Sequence, residues 1–192
     1  MVSAGPSCRG KLLVASPLLA DPNFARTVVL IIEHNEEAAM GVVLNRPSHT
    51  PLSELIEPLS DLAAPPGLVH LGGPVAPSAA VCLGRLQPGR SPEEASGAQV
   101  VPLFDGLVSV DPEGDLALLG GLVQDVRLFA GYAGWGPGQL EGELELGGWY
   151  VVPSLPADAV TPRAEDLWRA VLRRQGPPLA LLSNFPLKPS LN

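Results

Sequence analysis

Three groups of residues in this chain have the types and spacing to do chemistry. Glu33, His34, Glu36 and Glu37 stand together, with Glu141 much further along. An imidazole beside carboxylates is raw material for metal binding or for acid–base hydrolysis. A metal site needs three or four converging ligands, and nothing in sequence places His49 or His70 near His34. No metal and no cofactor is therefore expected, and a solvated hairpin tip is the favoured account of this cluster. The second group, Asn45-Arg46-Pro47, puts a guanidinium directly after an apolar run. That arginine either pairs with a carboxylate at the sheet end or faces a ligand. The third runs from Gly131 to Glu141, with glycines at 131, 134, 136 and 138, a spacing that departs from G-x-G-x-x-G. Here Gly134-Trp135-Gly136 makes a tight bend that positions an indole, either as a pin in the core or as an aromatic anchor for a ligand. If Pro137 opens a helix, its free N–H groups form an anion site unless Glu141 itself satisfies that turn.

Several activities find no seat. The chain has no G-x-S-x-G elbow and no phosphate-cradling Walker loop. Its net charge of −8 and pI near 4.8 repel phosphate backbones, which argues against nucleic acid as a partner. Arg169, Arg173 and Arg174 are interleaved with Glu165 and Asp166 and read as a solvated helix face. Cys8 and Cys82 are too few for a disulfide framework, nothing in sequence places them side by side, and they read as unpaired thiols in a reducing compartment. No stretch approaches ~18 consecutive apolar residues and none reads as a secretion signal. Cytoplasm, with no membrane, is the expected location.

The elements that must position these residues are short. With 22 prolines and 21 glycines, loops are many, while 46% hydrophobic residues supply a full core. Apolar, β-branched runs predict strands at 11–15, 27–32, 40–45, 68–71, 79–83, 100–104, 107–110, 126–132 and 149–152. The strands at 27–32 and 40–45 form a hairpin-like pair whose charged tip spans about seven residues. Thr50-Pro51 is expected to cap a helix through Leu59, and 115–122 a weaker helix interrupted by Gly120-Gly121. Thr161-Pro162 opens the clearest helix, with Leu167, Trp168, Val171 and Leu172 on one face and Gly176 at its end. Residues 87–99 read as an exposed loop. For 139–146 the alternation of leucine or glycine with glutamate favours a strand, while Pro137 and Gly147-Gly148 suit a short helix. Strands and helices neither alternate nor segregate, which predicts a mixed-sheet α+β fold. The expected organisation is a frayed segment 1–10, one domain over 11–176, and a proline-spaced tail 177–192.

Taken in order, Asp21-Pro22-Asn23-Phe24-Ala25-Arg26-Thr27-Val28-Val29-Leu30, Glu33-His34-Asn35, Met40-Gly41-Val42-Val43-Leu44-Asn45-Arg46-Pro47, Gly72-Gly73-Pro74-Val75 and Gly131 to Glu141 closely resemble the YqgE/AlgH family. The likeness spans most of the chain, from Gly10 to Trp168, and the closing Pro189-Ser190-Leu191-Asn192 looks like tails in some members. The resemblance implies an α+β domain with a bent, branched sheet approaching a barrel, flanked by a few helices, and it moves 139–146 toward helix. The family is largely uncharacterised, and part of it carries a transcriptional-regulator label. One departure is Ala38, where the family usually places glycine. The function expected is non-enzymatic binding or regulation through a surface of Asn45, Arg46, Pro47, Gly72, Gly73, Pro74, Gly134, Trp135, Gly136 and Gln139, with a protein or small molecule as partner. The alternatives are a hydrolase-like enzyme using Glu33, His34 and Glu141, and a transcriptional regulator.

Overall fold

Leu12 and Val14 face one core while Leu13 and Ala15, between them, face another. The same alternation separates Val28, Leu30 and Ile32 from Val29 and Ile31. Strands covered on both faces read as unbroken apolar runs, because neither set of side chains meets water. The computed structural model describes residues 7–95 and 100–186. Its elements are β1 (Lys11–Ala15), β2 (Val28–His34), β3 (Ala39–Val43), β4 (Pro47–Pro51), α1 (Leu52–Leu55), β5 (Leu68–Leu71), β6 (Val75–Leu86), α2 (Pro92–Ala95), β7 (Val100–Phe104) and β8 (Leu107–Val110). There follow α3 (Leu116–Leu122), β9 (Val123–Trp135), α4 (Gln139–Glu145), β10 (Trp149–Pro153), α5 (Pro156–Ala159), α6 (Leu167–Arg174) and α7 (Leu179–Leu182). Short 3₁₀ turns occupy Glu57–Leu62 and Ala164–Asp166.

The strands form a single curled half-barrel sheet in the order β10-β1-β2-β3-β9-β6-β8-β7. β9 holds it together. It pairs antiparallel with β3 through Gly41↔Ala133, Met40↔Gly134 and Ala39↔Trp135, and with β6 from Val75↔Tyr132 to Leu86↔Val123. Lower on β9, β5 pairs parallel through His70↔Phe129 and Leu71↔Ala130 and brings β4 with it. That is the branch. β9 supplies Phe129 to the first core, Val126 and Leu128 to the second, and Ala133 and Trp135 to the third. The bent, branched α+β domain is what the sequence and its family likeness predict.

Several local expectations are corrected. The strand that periodicity alone favours at 139–146 gives way to the helix that the family likeness implies: α4 spans Gln139–Glu145 and is entered through Gly138 at φ 70°. Leu140 and Leu144 both pack on the third core, a one-turn spacing that only a helix puts on one side. Thr50 caps no helix: β4 runs through Pro51, α1 is a single turn, and the rest to Leu62 is 3₁₀. The hairpin tip is four residues rather than about seven, with the Asn35 Oδ1 accepting from the Glu37 and Ala38 amides. Within 87–99, the helix α2 interrupts the expected loop, and 96–99 lie outside the described residues. Residues 1–6 and 187–192, parts of the expected end segments, also lie outside them. Of the remainder, Cys8 is buried, and α7 packs Leu179 and Leu182 against the first core.

Two basic side chains are buried in this frame. Arg127, 1% exposed, donates to the carbonyls of Thr161 (2.7 Å), Pro65 (2.6 Å) and Ala64 (3.4 Å). Burial brings it down to about 10, so it stays charged at neutral pH. His70 is wholly buried, and burial with the nearby Arg127 charge holds it at about 4, so the ring is neutral. The unfolded chain takes up that proton near pH 6.5 and the folded chain only near 4. Unfolding therefore gains a proton between these values, and stability falls as pH drops from about 6.5 to about 4. We expect urea denaturation to lose on the order of 3 kcal/mol over that window, and His70→Leu to lose this part of the dependence.

Candidate functional site

The bends predicted to share a surface do meet, along a seam built from backbone. Leu71 N–H donates to the Arg46 carbonyl, Val43 N–H to the Gly72 carbonyl and Gly72 N–H to the Ala130 carbonyl, each at 2.8 Å. A methyl on Gly72 would run into the Gly131 carbonyl oxygen, and one on Gly73 into the Tyr132 backbone. Gly73 itself has φ 153°, open only to glycine, and Gly131 has φ 70°. Gly134 sits beside Tyr132 and Val75. Thus the 43–46 segment joins Leu71-Gly72 by hydrogen bonds, and Gly72-Gly73 joins the Gly131–Tyr132 backbone by close contact.

The side chains of the seam divide sharply. Asn45 is spent inside the chain, its Oδ1 accepting from Val28 N–H and its Nδ2 donating to the Arg26 carbonyl, both at 2.8 Å. Arg46 Nη2 donates to the backbone carbonyls of Pro22 (3.0 Å) and Ala25 (3.2 Å) rather than to a carboxylate. Trp135 is buried, with its ring 6.1 Å from Phe24 and 6.2 Å from Trp149. Outward lie Pro74, Gly134, Gly136 and Gln139, together with Leu71 at 51% and Val75 at 37% exposure. Sequence reasoning missed Leu71 and Val75, since an isolated leucine or valine beside a glycine pair carries no chemical signal. Pro47 is half-buried, opposite His70 across the β4–β5 pair.

Below the seam, a carboxylate gathers two indoles. Trp135 Nε1 (3.0 Å) and Trp149 Nε1 (2.8 Å) both donate to the same Glu143 Oε2, and Gln139 Nε2 donates to its Oε1. Gln139 also accepts from the Gly136 amide, so it closes the bend from within. The signal was present in the sequence, because buried tryptophans need acceptors and Glu143 follows on the facing helix.

The acid–base cluster converges too. His34 Nε2 lies 2.8 Å from Glu141 Oε1, and its Nδ1 accepts from the Cys8 amide at 2.9 Å. A ring that accepts at Nδ1 carries its proton on Nε2, so the imidazole is a neutral clamp donating to Glu141. It is Cys8's amide, not its sulfur, that meets the ring, and burial raises the Cys8 thiol above its ordinary value. Cys82 is buried and pushed up to about 12, also by burial. Both cysteines are free. Glu33 stands apart, exposed and 3.6 Å from Arg9. Ala38 does not adopt a left-handed backbone, so alanine fits at that place without strain. No group of three or more His, Cys, Asp or Glu residues that could hold a metal occurs among the described residues.

With this fold and site in view, comparison with known proteins is direct. The AlgH-like family signature matches residues 12–180. A UPF0301 protein of Streptomyces coelicolor is 50% identical over 187 residues, 97% of this chain and 96% of the relative. One from Mycobacterium ulcerans is 45% identical over 183 residues, covering 95% and 90%. The crystal structure of a Corynebacterium diphtheriae protein superposes with TM-score 0.87 at 38% identity, covering 96% of this chain and 95% of that one. The solution structure of the AlgH protein from Pseudomonas aeruginosa gives 0.66 at 34% identity, covering 97% and 98%. The chain is a member of the AlgH-like family.

Two substitutions probe the seam. Gly72→Ala should destabilise by about 3 kcal/mol in urea titration, because backbone atoms cannot yield to a methyl, whereas Gly120→Ala in open space on α3 should shift stability by at most about 1 kcal/mol. Glu143→Ala should cost about 2–4 kcal/mol and red-shift tryptophan emission. Glu143→Gln, which keeps an acceptor oxygen for both indoles, should cost about half as much.

Proposed function

We propose that this chain is a non-enzymatic binding or regulatory domain that engages a protein or small-molecule partner through the outer rim of the seam. The observation that carries the reading is the convergence of three bends, distant in sequence, into one backbone-locked edge with Leu71, Pro74, Val75, Gly134, Gly136 and Gln139 exposed along it. A surface fixed before binding loses little conformational entropy on contact. The half-buried Asn45 and Arg46 and the buried Trp135 serve as its supports. Action inside the cell fits two free cysteines, and among the described residues no helix is long and apolar enough to cross a membrane.

A hydrolytic reading draws on the 2.8 Å contact of His34 with Glu141. It ranks below the binding reading because both ring nitrogens are already engaged and the neighbouring thiol is held protonated by burial. A direct transcriptional regulator ranks lower still, given the net charge of −8.

The test pairs rim and support. Affinity capture from a native lysate, followed by purification of the retained partner, should give a complex weakened more than about tenfold by Leu71→Asp with Val75→Asp. The melting temperature of that variant should match wild type. Equal retention by wild type and the folded variant, or no partner at all, contradicts the proposal.

A further inference from the structure

We propose that adding a proton to His34 releases the segment 7–10, so that this strap loosens from β2 and α4 as the medium turns acidic. Both ring nitrogens of His34 are committed, one to a donor and one to an acceptor. Nδ1 accepts from the Cys8 amide at 2.9 Å, and Nε2 donates to Glu141 Oε1 at 2.8 Å. The side chain is only 7% exposed, so water is a poor substitute for either partner. A neutral imidazole offers one acceptor and one donor, which is what these two neighbours require; an imidazolium donates from both nitrogens. Its Nδ1–H then faces the Cys8 N–H, and an amide N–H cannot accept. Glu141, by contrast, holds the charged ring more strongly than the neutral one. The carboxylate keeps the proton on the ring, and the strap gives way. Imidazole is also the side chain whose charge changes between about pH 5 and 8.

The other groups around the ring leave the outcome to these two contacts. Glu141 faces it from α4, and Cys8 from the strap, with a thiol that burial keeps protonated and uncharged. Lys11 of β1 and Glu141 both bear on that thiol, with opposite signs. β3 places Ala39 opposite His34, and β9 reaches this end through Trp135, opposite Ala39, so neither strand brings a charge. On β2 itself Glu33 lies 3.6 Å from Arg9, and Glu36 and Glu37 are exposed at the tip. The strap's further ties are Ser7 Oγ to the His34 carbonyl (3.1 Å), Arg9 Nε to the Ile32 carbonyl (3.1 Å) and Gly10 N–H to the Ile31 carbonyl (2.9 Å). Ser7 and Arg9 are exposed, so water competes for their bonds, and the Cys8–His34 bond is the interior tie between them. Cys8 belongs to the third core with Ala39, Trp135 and Leu140, so release of the strap opens that core beside the indole that supports the rim. The device stands on the His34 contacts and not on the binding reading, and its test needs no partner.

The test is amide hydrogen exchange of the full chain by NMR, each rate taken relative to its intrinsic value at that pH. Between about pH 8 and 5.5, protection of the Cys8 amide should fall more than about tenfold relative to that of Leu30 in β2. His70 weakens the whole fold over part of this range, but global opening moves Cys8 and Leu30 together and leaves their ratio unchanged. His34→Gln keeps an acceptor for the Cys8 amide and a donor for Glu141 but takes up no proton, so its ratio should stay flat. Glu141→Gln removes the charge that favours the imidazolium, so the fall should move lower by about half a pH unit or more. That side chain is 43% exposed, so Glu141→Gln decides the matter should His34→Gln fail to fold. A wild-type ratio independent of pH, an undiminished fall in folded His34→Gln, or an unmoved fall in Glu141→Gln overturns the proposal.

Discussion

The close approach of two backbones, Gly72-Gly73 against Gly131-Tyr132, is the constraint on which the remaining architecture depends. It lets β5 dock beside β9 on the edge where β3 already pairs higher up, and so it creates the branch in the sheet. Three cores meet around β9 because that strand is long enough to pass each in turn. A side chain at either glycine would hold the strands apart, and the amide bonds from Leu71, Val43 and Gly72 would lose their alignment. The apparent glycine motif is therefore a packing device first. Its functional consequence is the rigid rim that it leaves outside.

The polar side chains that look chemical in sequence are mostly spent on tying segments together. Arg46 binds the turn at Pro22 and Ala25, Arg127 binds the loops at Ala64, Pro65 and Thr161, and Arg174 forks onto the buried Asp158 at 2.6 and 2.7 Å. Arginine suits this work, since its planar fork satisfies several acceptors while remaining charged. Glu143 does the converse for two indoles. The buried His70 ring is oriented by one backbone carbonyl, and its Nε2, like the Nε of Arg127, has no hydrogen-bond partner.

Much of the fold was legible because the strands that matter are covered on both faces and read as unbroken apolar runs, as in Val28 to Ile32 and Leu12 to Ala15. The helix α4 was not, since Leu140, Gly142, Leu144 and Leu146 satisfy the strand period and the one-turn helical spacing at once. The tie went to tertiary contacts, Glu143 to two tryptophans, that no local window contains. The candidate rim was half legible. Gly72, Gly73, Gly134 and Gly136 announced bends, but only coordinates separate the inward Trp135 and Asn45 from the outward Leu71 and Val75. His70 drew notice only as a possible metal ligand, because nothing in sequence places it near His34. Its missing partner is a property of three dimensions alone.

Amide hydrogen exchange at the seam reports most directly on whether these bends form one fixed edge. The amides of Leu71, Gly72 and Val43, followed by NMR, should exchange only through global unfolding, at the same rate as the central amides of β2. Exchange at any of the three that is orders of magnitude faster, and independent of denaturant at low concentration, would mean that the seam opens on its own, and the pre-set binding edge would not exist.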